Sequence, residues 1–108
     1  MSRESGNIIG MNELKEQILE HVDVKEPSSY RVILINDNYT TMDFVIMILM
    51  MVFHRNHDDA QRIMYEVHKN GRGIAGIYPF EIAETKIKQV EALAEKHCFP
   101  LRCTMEET

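Results

Sequence analysis

The chain predicts an α+β sandwich, a three-stranded antiparallel sheet packed by three helices in the order β-α-α-β-α-β. Three observations carry this reading. Runs of β-branched and aromatic residues alternate with longer stretches whose apolar residues recur at helical spacing. The breaks between them are short and hold asparagine, glycine or proline, which punctuate both kinds of element. Finally, 108 residues that are 44% hydrophobic and 27% charged have the size and composition of one folded domain.

The first 29 residues stand apart. Met11, Leu14, Ile18 and Val22 follow helical spacing behind a candidate N-cap at Asn12, and Pro27-Ser28-Ser29 breaks the pattern. About ten helical residues alone in water are marginal. Residues 1–29 are therefore expected to form a flexible N-terminal extension, and residues 30–108 the core domain. Tyr30 to Ile35 reads as the first strand, ended by Asn36-Asp37-Asn38. Thr40 or Thr41 then caps a helix reaching about His54. Inside it, Phe44 to Phe53 carries no polar side chain. A bilayer span needs roughly 20 apolar residues, so this shorter run predicts a buried helix. So small a domain leaves part of Met47, Met50 and Met51 uncovered, available to solvent or a partner.

Asn56 caps the next helix, where Ala60, Ile63, Met64, Val67 and His68 share one face. Lys69-Asn70-Gly71 closes it, with glycine where a left-handed cap residue is least strained. Gly73 to Tyr78 is a short strand. Pro79 suits a helix start, and Glu81 and Glu84 lie in the first turns, where the macrodipole favours acids. Ile82, Ala83, Ile87, Val90, Leu93 and Ala94 make the buried stripe of that helix. Pro100 leads into the last strand, Leu101 to Met105.

Composition narrows the function classes. A net charge of −5 with no basic patch argues against nucleic acid and against anionic membrane as partners. Cys98 and Cys103 are too few for a disulfide scaffold, and on one strand their odd separation would point them to opposite faces. A reducing cytosol fits best. The opening MSRESGNIIG lacks the long apolar core of a signal peptide.

Two places could form a site. Asn36-Asp37-Asn38 is ordinary turn chemistry, yet it is also a cluster of acceptors at a strand end, suited to a cation such as a free α-amino group. His68 sits late in its helix, where the dipole favours histidine. Its neutral ring also offers one acceptor nitrogen, and with Met64 and Val67 it can border an apolar hole. His54, His57 and Asp58 do not complete a metal set, nor do His97, Cys98 and Cys103, so no metal or cofactor is expected. Asp37 and His68 are an acid–base pair at most. No nucleophile motif accompanies them, and Ser5, Ser28 and Ser29 lie in the extension, so an enzyme is not expected.

Taken together, VILINDNYTTMDFV (residues 32–45), Met64-x-x-Val67-His68, Gly71, EIAETK (residues 81–86) and Phe99-Pro100-Leu101-x-Cys103 resemble the ClpS adaptor family in order and spacing from Tyr30 to about Glu106. The resemblance implies a non-enzymatic adaptor of the bacterial N-end rule pathway, acting in the cytoplasm, although a plastid counterpart stays open. Such an adaptor binds proteins that begin with Leu, Phe, Tyr or Trp and delivers them to the N-terminal domain of a ClpA-like or ClpC-like AAA+ unfoldase. By position, Asn36, Asp37 and His68 match the family's binders of the substrate α-amino group. Thr40, Met42, Val45, Met64, Val67 and Leu101 match its side-chain pocket, with Ile35 counted among them at the strand end. Met42 matches a methionine that guards the pocket against β-branched residues. Glu81 and Lys86 match the surface that meets the unfoldase, and residues 1–29 match the extension needed for delivery. Asn38 stands where the family often has a second acid, and Pro79 where a small polar cap is usual. The alternatives are an interaction module of this fold with a different ligand and, more distantly, a small acid–base enzyme.

Overall fold

The computed structural model describes residues 28–108 of the chain, so the expected N-terminal extension and its helical spacing lie almost wholly outside the described residues. The order is β-α-α-β-α-β: β1 (Ser29–Ile35), α1 (Met42–Met51), α2 (His57–Asn70), β2 (Arg72–Pro79), α3 (Phe80–Lys96) and β3 (Arg102–Glu107). β1 is central, antiparallel to β2 on one side and β3 on the other, and the predicted fold class holds. Strand alternation sorts the two faces. Val32 and Leu34 join Ile48, Leu49, Ile63, Val90 and their neighbours in a core between sheet and helices. Ile33 is equally buried but faces the other way, in a hollow with Arg31, Ile74 and the Arg72–Glu106 ion pair.

Local chemistry explains the boundaries. Asn56 Oδ1 accepts from Asp59 N–H at 2.8 Å and starts α2. Gly71, at φ 87°, stops it, its N–H donating to the Val67 carbonyl at 3.0 Å. α1 ends at Met51, short of the expected His54. His54 turns left-handed at φ 54°, and Arg55 N–H returns to the Leu49 carbonyl at 3.0 Å. The Arg55 side chain then reaches across to β2. The register there places Val32 opposite Gly76 but Ile33 opposite Ile74, so Ala75 is the extra residue of a bulge. Its carbonyl accepts from Arg55 Nε at 2.9 Å.

Two expectations are corrected. Ile82 belongs to the exposed side of α3, whose buried residues are Ala83, Val90 and Ala94. Cys98 lies outside β3, in a left-handed conformation (φ 61°) after α3, so the parity argument for a shared strand does not apply. Cys98 is exposed and Cys103 buried, both as free thiols. Burial, with Glu91 nearby, pushes the Cys103 thiol up to about 12. Among the described residues no helix is long and apolar enough to cross a membrane.

Candidate functional site

The tip of β1 and the end of α2 are tied together by backbone. Asn36 N–H donates to the carbonyl of Gly71 at 2.9 Å, just past the left-handed cap. That bond sets the strand tip beside the last turn of α2, which carries His68. Gly73 brings the helix closer still: a Cβ there would lie 2.8 Å from Cγ2 of Val67. The close approach is open only to glycine.

Beyond Asn36 the chain folds around a carboxylate. Asp37 Oδ1 accepts from the N–H groups of Tyr39 (2.8 Å) and Thr40 (2.7 Å), and Oδ2 accepts from the Thr40 hydroxyl at 2.6 Å. With Thr40 committed to Asp37, Thr41 is the N-cap of α1, its Oγ1 accepting from Phe44 N–H at 3.1 Å. Partial burial pushes the Asp37 carboxyl up. The three donors outweigh it and hold the group below its ordinary value.

These constraints enclose a cavity of about 410 Å³. Its polar rim is Asn36, Asp37, Asn38 and His68. Its apolar wall is Val45, Met64 and Val67, all buried, with Met42 at the edge and 43% exposed. Helix spacing explains the grouping: Met42 and Val45 are three apart on α1, and Met64, Val67 and His68 lie at i, i+3 and i+4 on α2. Among the described residues the Asn36 side-chain amide and the His68 ring make no hydrogen bond. Their polar atoms are free at the mouth. The arrangement suits a cation attached to an apolar group.

Two residues expected in the pocket lie elsewhere. Ile35 follows the outward parity of Ile33, pairing with Arg72 and Arg102 on the far side of the sheet from the helices. Leu101 is buried in the core and borders a separate hollow with Ala94, Phe99 and Pro100. Conversely, Tyr39 and Thr41 line the cavity without having been singled out as lining residues. They belong to the loop the sequence marks, and their signal was the D-x-x-T spacing that curls it. A larger groove of about 690 Å³ runs along the outside of α2, among Asp58, Gln61, Arg62 and Lys69. All its lining residues, Tyr65 among them, come from that one helix, and Arg62 there is bonded to Glu66 at 3.0 Å.

The other expected surface lies at the opposite end of β2. Glu81 is exposed in the first turn of α3, next to a hollow walled by Tyr30, Phe80 and Ile82. Lys86 is half-buried. Its Nζ donates to the Val52 carbonyl at 2.6 Å, capping α1, and lies 5.7 Å from the centre of the Tyr78 ring. Among the described residues no three His, Cys, Asp or Glu gather as a metal set.

Fold and cavity define a small α+β binding module whose polar-rimmed apolar hole opens at one end of its central strand. The sequence profile described as "ATP-dependent Clp protease adaptor protein ClpS" matches residues 25–104. The chain is 48% identical to the ATP-dependent Clp protease adapter protein ClpS of Wolinella succinogenes over 96 residues, covering 89% of this chain and 94% of the relative. It is 55% identical to the ClpS of Syntrophus aciditrophicus over 84 residues, covering 78% of each. A solved structure of Agrobacterium tumefaciens ClpS2 bound to L-phenylalaninamide superposes with a TM-score of 0.74 at 36% identity, covering 77% of this chain and 100% of that one. The chain belongs to the ClpS family of Clp protease adaptors.

Proposed function

We propose that this chain captures proteins by a free N-terminal Leu, Phe, Tyr or Trp and delivers them to a Clp AAA+ unfoldase for degradation, acting in the cytoplasm and without catalysis of its own. One observation carries the reading: the unengaged Asn36 amide and His68 ring stand at the mouth of a hole walled by Val45, Met64 and Val67. L-phenylalaninamide, the ligand of the Agrobacterium relative, is a free α-amine beside an apolar side chain, the same pair of features.

In this reading the α-ammonium donates to the side-chain carbonyl oxygen of Asn36 and to a ring nitrogen of His68. Asp37 supplies negative charge and holds the loop, since its oxygens already accept from Tyr39 and Thr40. Hydrogen bonds to a charged group contribute about 1.5–3 kcal/mol each. Acetylation removes the charge and leaves acceptors unpaired. Filling the hole with Leu or Phe contributes roughly 1.5–3 kcal/mol more. A charged first side chain would be desolvated without a partner and is rejected. Val and Ile carry their bulk at Cβ, at the level of Met42 on the rim, so shape excludes them where polarity cannot. Glu81, with Lys86 behind it, presents the surface for the unfoldase.

Fluorescence anisotropy with peptides beginning Leu, Phe, Val and acetyl-Leu tests this. Binding of the first two alone is expected. Equal binding of acetyl-Leu removes the amine reading, and failure of all four favours an interaction module with another ligand.

A further inference from the structure

The cavity contains two methionines in contrasting positions. Met64 is buried in the wall, whereas Met42, the first residue of α1, stands at the rim with 43% of its surface exposed. Met50 and Met51 are exposed on the same helix, the latter at 59%, but neither lines the cavity. An accessible thioether at the mouth of an apolar hole is open to oxidants that the wall sulfur is shielded from.

We propose that Met42 is an oxidation site that closes the pocket, making substrate capture sensitive to hydrogen peroxide; this rests on the pocket reading above. The step balances with peroxide alone. A sulfur lone pair attacks one peroxide oxygen, an S–O bond forms and the O–O bond breaks. The transferred oxygen gives up its proton to the departing hydroxide, which leaves as water. Sulfur is oxidised by two electrons and peroxide reduced by two. The product is larger, chiral and strongly polar. Its oxygen stands beside Val45 and Val67, where an entering Leu or Phe side chain would strip it of water without replacing the lost hydrogen bonds. Methionine sulfoxide reductases reverse the change. Met50 and Met51, exposed residues outside the cavity, are open to the same oxidant and leave the hole unaltered, so they serve as an internal control.

The experiment treats the full chain with graded hydrogen peroxide, follows each methionine by peptide mass spectrometry and titrates a Leu-initiated peptide by anisotropy. Affinity is expected to fall roughly tenfold, equivalent to about 1.4 kcal/mol, in step with sulfoxide at Met42, and to return with the reductase. A variant carrying M50L and M51L should lose affinity as the native chain does. M42L, compared with its own untreated affinity, should lose none. Three results overturn the proposal: Met42 fully oxidised with affinity within about twofold of the untreated value, M42L losing as much as the native chain, or Met42 staying reduced while Met50 and Met51 oxidise. If the untreated chain fails to bind the Leu peptide, the pocket reading falls and this inference with it. Binding before treatment separates the two failures.

Discussion

The fold passes from strand to helix twice in a way that invites comparison. β1 reaches α1 through residues 36–41, whereas β2 runs into α3 with no residue between, Pro79 being both the end of the strand and the cap of the helix. In the first junction Thr41 caps the helix and Asp37 braces the loop, which leaves Asn36 and His68 free over a hole. In the second, Pro79 makes no side-chain cap bond, and exposed Phe80 and Ile82 flank Glu81. Antiparallel pairing of Ser29 with Pro79 and of Ile35 with Arg72 sets the two junctions at opposite ends of the sheet. A site of this kind needs a loop whose structural duties are assigned to other side chains. A direct junction offers a surface instead.

The largest expected effect breaks the first junction. Asn36→Ala or His68→Ala should each weaken a Leu-initiated peptide by about 1.5–3 kcal/mol, read by anisotropy, with circular dichroism unchanged. Full affinity in both variants would show that the mouth plays no part. Next, Gly73→Ala presses a methyl on Val67 from behind the cavity wall. Overpacking of this sort destabilises by about 1–3 kcal/mol, measured in urea, and peptide affinity should fall with it. An unchanged midpoint would mean that α2 gives way freely.

Toward the second junction, Lys86→Met removes the bond that caps α1 at Val52. Discounted for partial exposure, the loss should be about 1–2 kcal/mol of stability in urea. If only unfoldase binding changes, Lys86 is a contact residue and not a brace. Exchanging cap chemistry is subtler. Thr41→Ala should cost about 1 kcal/mol and Pro79→Ser should return a few tenths, visible as opposite shifts in thermal midpoint. Shifts of the same sign would break the contrast drawn between the two caps.

The smallest effect is acid sensitivity. The Asp37 carboxyl is held below its ordinary value in the folded chain. Its contribution is therefore complete above the usual carboxylate range and is lost as pH falls through the folded value. Asp37→Asn should flatten that acid limb in a stability titration, and an identical limb in the variant would assign it to other carboxylates.

Much of this was written plainly in the sequence. The change of apolar period from two to near 3.6 around Asn36 marks the first junction, and Met64, Val67 and His68 share a face by spacing alone. Thr40 and Thr41 could not be ranked, because either hydroxyl can cap. The contact that decides is Asp37 taking the Thr40 hydroxyl. The early end of α1 was hidden for a different reason. An all-apolar run carries no stop signal, and the stop depends on Arg55 reaching a bulge twenty residues away. Ile35 was misplaced although alternation from Val32 and Leu34 already turns it outward. Leu101 could not be placed from spacing, since a buried residue at the entry to a strand can border any of several hollows. Ile82 fits the helical stripe by spacing, but in the first turn of α3 it is Ala83 that turns into the core, and Ile82 stays exposed beside it.

The position of β1 also has a mechanical meaning. Residues 1–27 join the fold through Ser28 at the first residue of its central strand, and Thr108 N–H bonds back to the Ser29 carbonyl at 2.9 Å at that same end. Tension applied through the N-terminal segment along the axis of β1 is borne in shear by two hydrogen-bonded ladders at once. It cannot open either one rung by rung. The end of the chain that carries residues 1–27 is thus fastened to the strand whose withdrawal requires the most bonds to break together.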